Sequence, residues 1–150
     1  MANSFTSLNI HFVFSTKNRK CLIDDQIKSR LWEYMGGIAK QQNMKAIAIG
    51  GTSNHVHMLV SLPAAMTPAK SIQLIKSNSS KWVNEEFPNK RGFSWQVGYS
   101  GFSVSPRQIQ NVINYIDRQE EHHRIRSFED EYIGFLQDSG INYEERYVLG

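Results

Sequence analysis

A chain of 150 residues with 40% hydrophobic and 21% charged side chains can bury a sizeable core, has the balance of a soluble globular protein, and is expected to form one unit over residues 1–150. Cys21 is the sole cysteine, which excludes an internal disulfide and thiolate metal clusters. No run approaches the roughly 20 apolar residues of a membrane span. The start, Met1-Ala2-Asn3-Ser4-Phe5, lacks the marks of a secretory signal, so a cytoplasmic location is expected. The net charge of +3 is unevenly spread: residues 1–107 carry 13 Lys and Arg against 5 Asp and Glu, a balance that favours a polyanionic partner.

Thr6 to Ser15 alternates, with Leu8, Ile10, Phe12 and Phe14 on one face and Asn9, His11 and Val13 on the other, and reads as a strand. A polar turn follows, Lys17-Asn18-Arg19-Lys20. Asp24 or Asp25 offers an N-cap to a helix with the apolar face Ile27, Leu31, Tyr34 and Ile38. Lys45 to Ile49 reads as a second strand ended by Gly50-Gly51. In the third, Asn54 to Leu62, the even positions Val56, Met58, Val60 and Leu62 are all apolar and must meet the core. His55 and His57 therefore point the other way. Thr67-Pro68 starts a helix that reaches Phe87 and buries Ile72, Ile75, Trp82 and Val83. Phe93 to Val104 holds a fourth strand. Ser105-Pro106 starts a further helix, 105–123, and a last one runs from Phe128 to Gln137 and ends at Ser139-Gly140.

This order is that of an α+β, ferredoxin-like split βαβ sandwich: an antiparallel sheet with helices on one face, plus two C-terminal helices. The first and third strands lie side by side at its centre, and the histidines face away from the first two helices. A later helix must cover them.

Two imidazoles two residues apart on a strand can share a divalent ion and leave positions open for an oxygen ligand and substrate. On the helix from Pro106, Tyr115 and Gln119 lie one turn apart at the edge of the stripe Ile109, Val112, Ile113 and Ile116. A phenol with a pKa near ~10 is a weak nucleophile, but it can displace a DNA 3′-oxygen when a metal withdraws charge from the phosphate. A Gln119 oxygen beside two neutral imidazoles leaves the cation's charge available for that purpose.

His55-Val56-His57 and Tyr115-Ile116-Asp117-Arg118-Gln119 resemble the two motifs of the single-tyrosine HUH transposases of bacterial insertion sequences. That group includes relatives associated with repetitive extragenic palindromes. The opening Leu8-Asn9-Ile10-His11-Phe12-Val13-Phe14 and the tail Gly140-Ile141-Asn142-Tyr143-Glu144-Glu145-Arg146-Tyr147 are also similar to family segments. The resemblance implies Tyr115 as nucleophile and His55, His57 and Gln119 as ligands of Mg²⁺ or Mn²⁺. It further implies a 5′-phosphotyrosine intermediate that needs no nucleotide cofactor, and a homodimer acting on single-stranded DNA hairpins. In such dimers the tyrosine helix of one protomer can complete the histidine pair of the other.

His11 is expected to support the histidine pair or pack beside it rather than bind metal, His122 to lie at a solvated helix end, as a neighbour of the site or a rival ligand only in the lesser reading, and His123 to be a surface residue. Lys17, Arg19, Lys20, Lys70, Lys76, Lys81 and Arg107, with Lys90-Arg91 near aromatic residues, are the expected DNA contacts. Two other readings stay open: a non-catalytic hairpin-binding module, and a metallohydrolase with a water nucleophile. The second is disfavoured because the sequence presents no evident acidic third ligand.

Overall fold

Strands β1 (Asn9–Ser15), β2 (Lys45–Gly51), β3 (His55–Ser61) and β4 (Ser100–Ser103) form one antiparallel sheet in the order β2-β3-β1-β4. The computed structural model describes residues 4–90, 92–123, 126–144 and 148. Arg91 and the tail residues Glu145, Arg146 and Tyr147 lie outside the described residues. The expected α+β, split βαβ arrangement is present, with β1 and β3 at the centre.

Period-two patterning sets which side of the sheet each residue faces. Phe12, Phe14, Val56, Met58, Val60 and Leu62 pack into the main core with helices α1 (Lys28–Gln41) and α2 (Pro68–Glu86). Leu31, Met35, Ile38, Ile72, Ile75 and Val83 supply the helical half. Thr67 caps α2 by accepting from Lys70 N, with Pro68 in the first turn. Tyr34 is not in the α1 core as the periodicity suggests. It is 38% exposed and stacks on Trp82 at 4.5 Å between ring centroids, while Met35 takes the buried position.

The opposite sheet face carries a smaller cluster, in which Val13 meets Phe128, Tyr132 and Leu136 of helix α5 (Phe128–Asp138). Ser127 caps α5 by accepting from Asp130 N. Helix α3 (Ile109–Asp117) covers the β2–β3 side of the same face, followed by the single turn α4 (Gln119–His122).

Several boundaries differ from the sequence reading, and neither Asp24 nor Asp25 is the N-cap of α1, which starts at Lys28 after Ile27. Thr6 to Leu8 precede β1, and Leu8 is 40% exposed. Gly50 and Gly51 belong to β2, where they pair with His57 and Val56 of β3, and α3 crosses so close that a Cβ on Gly50 would lie 2.5 Å from the Ile116 carbonyl oxygen. The fourth strand shrinks to Ser100–Ser103. Ahead of it, Lys76 Nζ donates to the carbonyls of Gln96 (2.7 Å), Val97 (3.3 Å) and Gly98 (2.7 Å), holding that stretch as a loop. The expected helix 105–123 divides into a 3₁₀ turn, Pro106–Gln108, then α3 and α4, broken at Arg118 (φ −106°, ψ 22°). At the break the Tyr115 carbonyl accepts from Arg118 N (3.3 Å) and from the Gln119 side-chain amide (3.3 Å), partners that compete with the regular helical bond. Among the described residues no helix is long and apolar enough to cross a membrane.

Candidate active site

His55 and His57 are fully buried on the β3 face opposite the main core, as alternation requires. His55 Nδ1 lies 2.9 Å from both Thr52 Oγ1 and Asn54 Oδ1, and the Thr52 hydroxyl donates to the same Asn54 oxygen (3.2 Å). His55 Nε2 faces Gln119 Oε1 at 2.9 Å. Carboxamide oxygens, which can only accept, therefore face both ring nitrogens, and a neutral imidazole carries one N–H, so one of the two contacts has no hydrogen in it. The Gln119 amide nitrogen donates to the Tyr115 carbonyl, which turns the oxygen towards His55.

His57 is held from behind by His11, whose Nε2 is 2.8 Å from His57 Nδ1; His11 supports the pair as expected. In front, His57 Nε2 lies 3.0 Å from Oε1 of Glu131, a carboxylate on α5 that is 2% exposed. The same oxygen is 3.8 Å from His55 Nε2. The other, Oε2, accepts the hydrogen bond of the Tyr115 hydroxyl. The Tyr115 ring sits 5.6 Å from that of His57, so the phenol, carboxamide and imidazole pair meet within one chain.

Burial, reinforced by His57, lowers the pKa of His55 and of His11 to about 3, so both are neutral. Burial also raises the Tyr115 phenol, and the hydrogen bond to Glu131 and its charge raise it further. For Glu131 burial works upward, but close His123, His57 and Tyr115 partners outweigh it and hold the carboxyl well below its ordinary value.

His55, His57 and Glu131 each offer a ligand atom, and together they form a group that could hold a metal ion. The facing nitrogen and oxygen atoms are 2.9, 3.0 and 3.8 Å apart. Imidazole nitrogens beside carboxylate and carboxamide oxygens are a donor set that a divalent metal can accept.

The sequence reading missed Glu131, and with it the acidic group whose absence counted against a water-activating hydrolase. A signal was there: Glu131 shares a helical stripe with Phe128, Tyr132 and Phe135, an acidic residue on an apolar face. His123 is a correction too. Its side chain is 12% exposed, and its Nε2 is buried with no hydrogen-bond partner, 3.2 Å from Glu131 Oε1 but misaligned. His122 is exposed, its ring 4.5 Å from that of Tyr115. A cavity of about 330 Å³ borders Tyr115, His11 and Glu131, with Asn111 and Arg126 on its wall.

Of the expected DNA contacts, Lys17, Lys20, Lys70, Lys81 and Arg107 are exposed. Arg19 is half-buried and pairs with Glu129 at 3.1 Å. Lys76 is turned inward to its three carbonyls, and burial lowers its pKa to about 8. Lys90 pairs with Asp24 at 2.7 Å.

A sequence profile described as IS200-like transposase matches residues 4–119. No curated protein matches the chain. Among solved structures, the chain is similar to a Deinococcus radiodurans R1 protein assigned as a transposase. That likeness has a TM-score of 0.64 at 21% identity over 79% of this chain and 95% of the other. It is also similar to a REP-associated tyrosine transposase solved with a REP hairpin, with a TM-score of 0.60 at 15% identity over 82% of this chain and 73% of the other. At these identities the two structures speak for the fold.

Proposed function

The chain belongs to the family of IS200-like transposases, enzymes that cut and transfer DNA, and on that premise we propose that it cleaves and rejoins single-stranded DNA with Tyr115 as nucleophile. The observation that carries this reading is the contact between a tyrosine, a glutamine and two buried histidines drawn from separate elements of one chain.

In the proposed reaction the Tyr115 oxygen attacks the scissile phosphorus. A phenol O–P bond forms, the bond to the 3′-oxygen breaks, and the 3′-oxygen leaves as a hydroxyl. The strand stays attached through a 5′-phosphotyrosine, whose bond energy is conserved for rejoining. His55, His57 and Gln119 would hold a divalent cation, Mg²⁺ or Mn²⁺, which would draw charge from the phosphate when bound. His11 keeps His57 oriented through its far nitrogen. Thr52 and Asn54 hold the ring of His55 in place through Nδ1. The cavity beside Tyr115 gives the phosphate an approach on which the Arg126 guanidinium can bear.

The substrate class we propose is a strand folded as a hairpin near the ends of an element, bound by a homodimer. The arrangement within one chain supports a site that does not require the partner's tyrosine.

The test uses hairpin-bearing single strands with Mn²⁺. Wild-type protein should give a protein–DNA adduct that survives denaturation. Tyr115→Phe should lose the adduct and retain hairpin binding, and His57→Ala or a chelator should stop cleavage. Cleavage that persists in Tyr115→Phe would identify the water-nucleophile alternative that Glu131 makes chemically reasonable. Tight binding with no nicking by wild type would identify a binding module.

A further inference from the structure

Glu131 lies beyond the family-matched span, which ends at residue 119, and on a helix that the expected ligand set does not include. Its two oxygens are differently engaged. Oε1 faces the imidazoles, at 3.0 Å from His57 Nε2 and 3.8 Å from His55 Nε2, whereas Oε2 accepts from the Tyr115 hydroxyl. Resting on the metal-and-tyrosine reading above, we propose that Glu131 is a further metal ligand through Oε1 and uses Oε2 to seat the tyrosine, so that one carboxylate bridges ion and nucleophile.

Three observations carry this. His55, His57 and Glu131 each offer a ligand atom, and these atoms lie within 4.8 Å of one another. The carboxylate is 2% exposed, and its ion pairs among the described residues are with histidines alone. A buried carboxylate oxygen that converges with two imidazole nitrogens is a ligand set that a divalent cation can complete. The placement is also fixed by packing. Phe128 stacks on His55 at 4.3 Å between ring centroids, and Tyr132 and Leu136 anchor the helix against Val13. The last helix thus brings a ligand as well as a cover.

The experiment titrates Mn²⁺ into the full-length protein, reads free ion by electron paramagnetic resonance, and reads the waters on bound ion by water-proton relaxation. Glu131→Gln keeps the side-chain shape and Glu131→Ala removes it; circular dichroism and melting in a chelator confirm that each variant is folded. Both should weaken Mn²⁺ binding by at least about 10-fold. Glu131→Ala should also increase relaxation, because a water takes the vacated position. Tyr115→Phe removes the carboxylate's other partner and should bind Mn²⁺ as wild type does.

Wild-type affinity and unchanged relaxation in a folded Glu131 variant overturn the proposal, as does a wild-type chain that binds no Mn²⁺. Persistent nicking by Tyr115→Phe alongside weakened Mn²⁺ binding in the Glu131 variants would instead overturn the tyrosine reading and leave the ligand in place.

Discussion

His55 and His11 show how a single buried side chain sets a pH dependence. Both are neutral in the fold, with pKa values near 3, against 6.5 for an unperturbed imidazole. Below pH ~6.5 the unfolded chain binds protons that the folded chain does not, so stability is complete above that pH and declines towards pH 3. Each group contributes a slope of about 1.4 kcal/mol per pH unit. Metal-free protein should therefore melt progressively lower as pH falls from 7 to 5, measured by thermal denaturation in chelator. His11→Gln should flatten that slope, and an unchanged slope would contradict the burial assigned to His11.

At the scale of elements, the position of Tyr115 depends on a glycine in another strand. Gly50 lets α3 lie against β2, where an added Cβ would sit 2.5 Å from the Ile116 carbonyl oxygen and 2.9 Å from Ile116 Cγ2. Gly50→Ala must push the helix outward, at a cost of about 1–3 kcal/mol. Adduct formation is expected to fall by more than hairpin binding, because Tyr115 and Gln119 move with the helix. Gly37→Ala is the control: nothing lies within 4 Å of that Cβ, and a mid-helix Gly to Ala change should raise the melting temperature. The break at Arg118 belongs to this scale as well. A continuous helix read from periodicity becomes two segments because the Gln119 amide takes the Tyr115 carbonyl, and the same bond turns Oε1 to His55.

Across the whole molecule, the sheet separates two jobs. One face buries the main apolar core under α1 and α2; the other gathers polar groups beneath α3 and α5. Positive charge is concentrated in residues 1–107, and the exposed Lys17, Lys20, Lys70, Lys81 and Arg107 remain the expected phosphate contacts. Binding of a hairpin should therefore weaken steeply with salt. Lys17→Ala with Lys20→Ala should lower the slope of log affinity against log salt by about 1–2. An unaltered slope would place that turn away from the DNA.

Alternation along β1 and β3 was enough to send His11, His55 and His57 to one face, since a strand allows its side chains only two directions and the apolar set claims one of them. Helical spacing likewise put Tyr115 and Gln119 together, and the order of elements gave the split βαβ sandwich. These are local or period-based properties, and one chain of letters records them. Glu131 was not legible in that way: it is 74 residues from His57, on an element whose docking depends on Phe128, Tyr132 and Leu136 meeting Val13. The inward turn of Lys76, the burial of His123 and the close passage of α3 over Gly50 are of the same kind. Sequence determined which residues share a face; only the tertiary structure decided which faces meet, because contacts between distant segments are set by packing rather than by spacing.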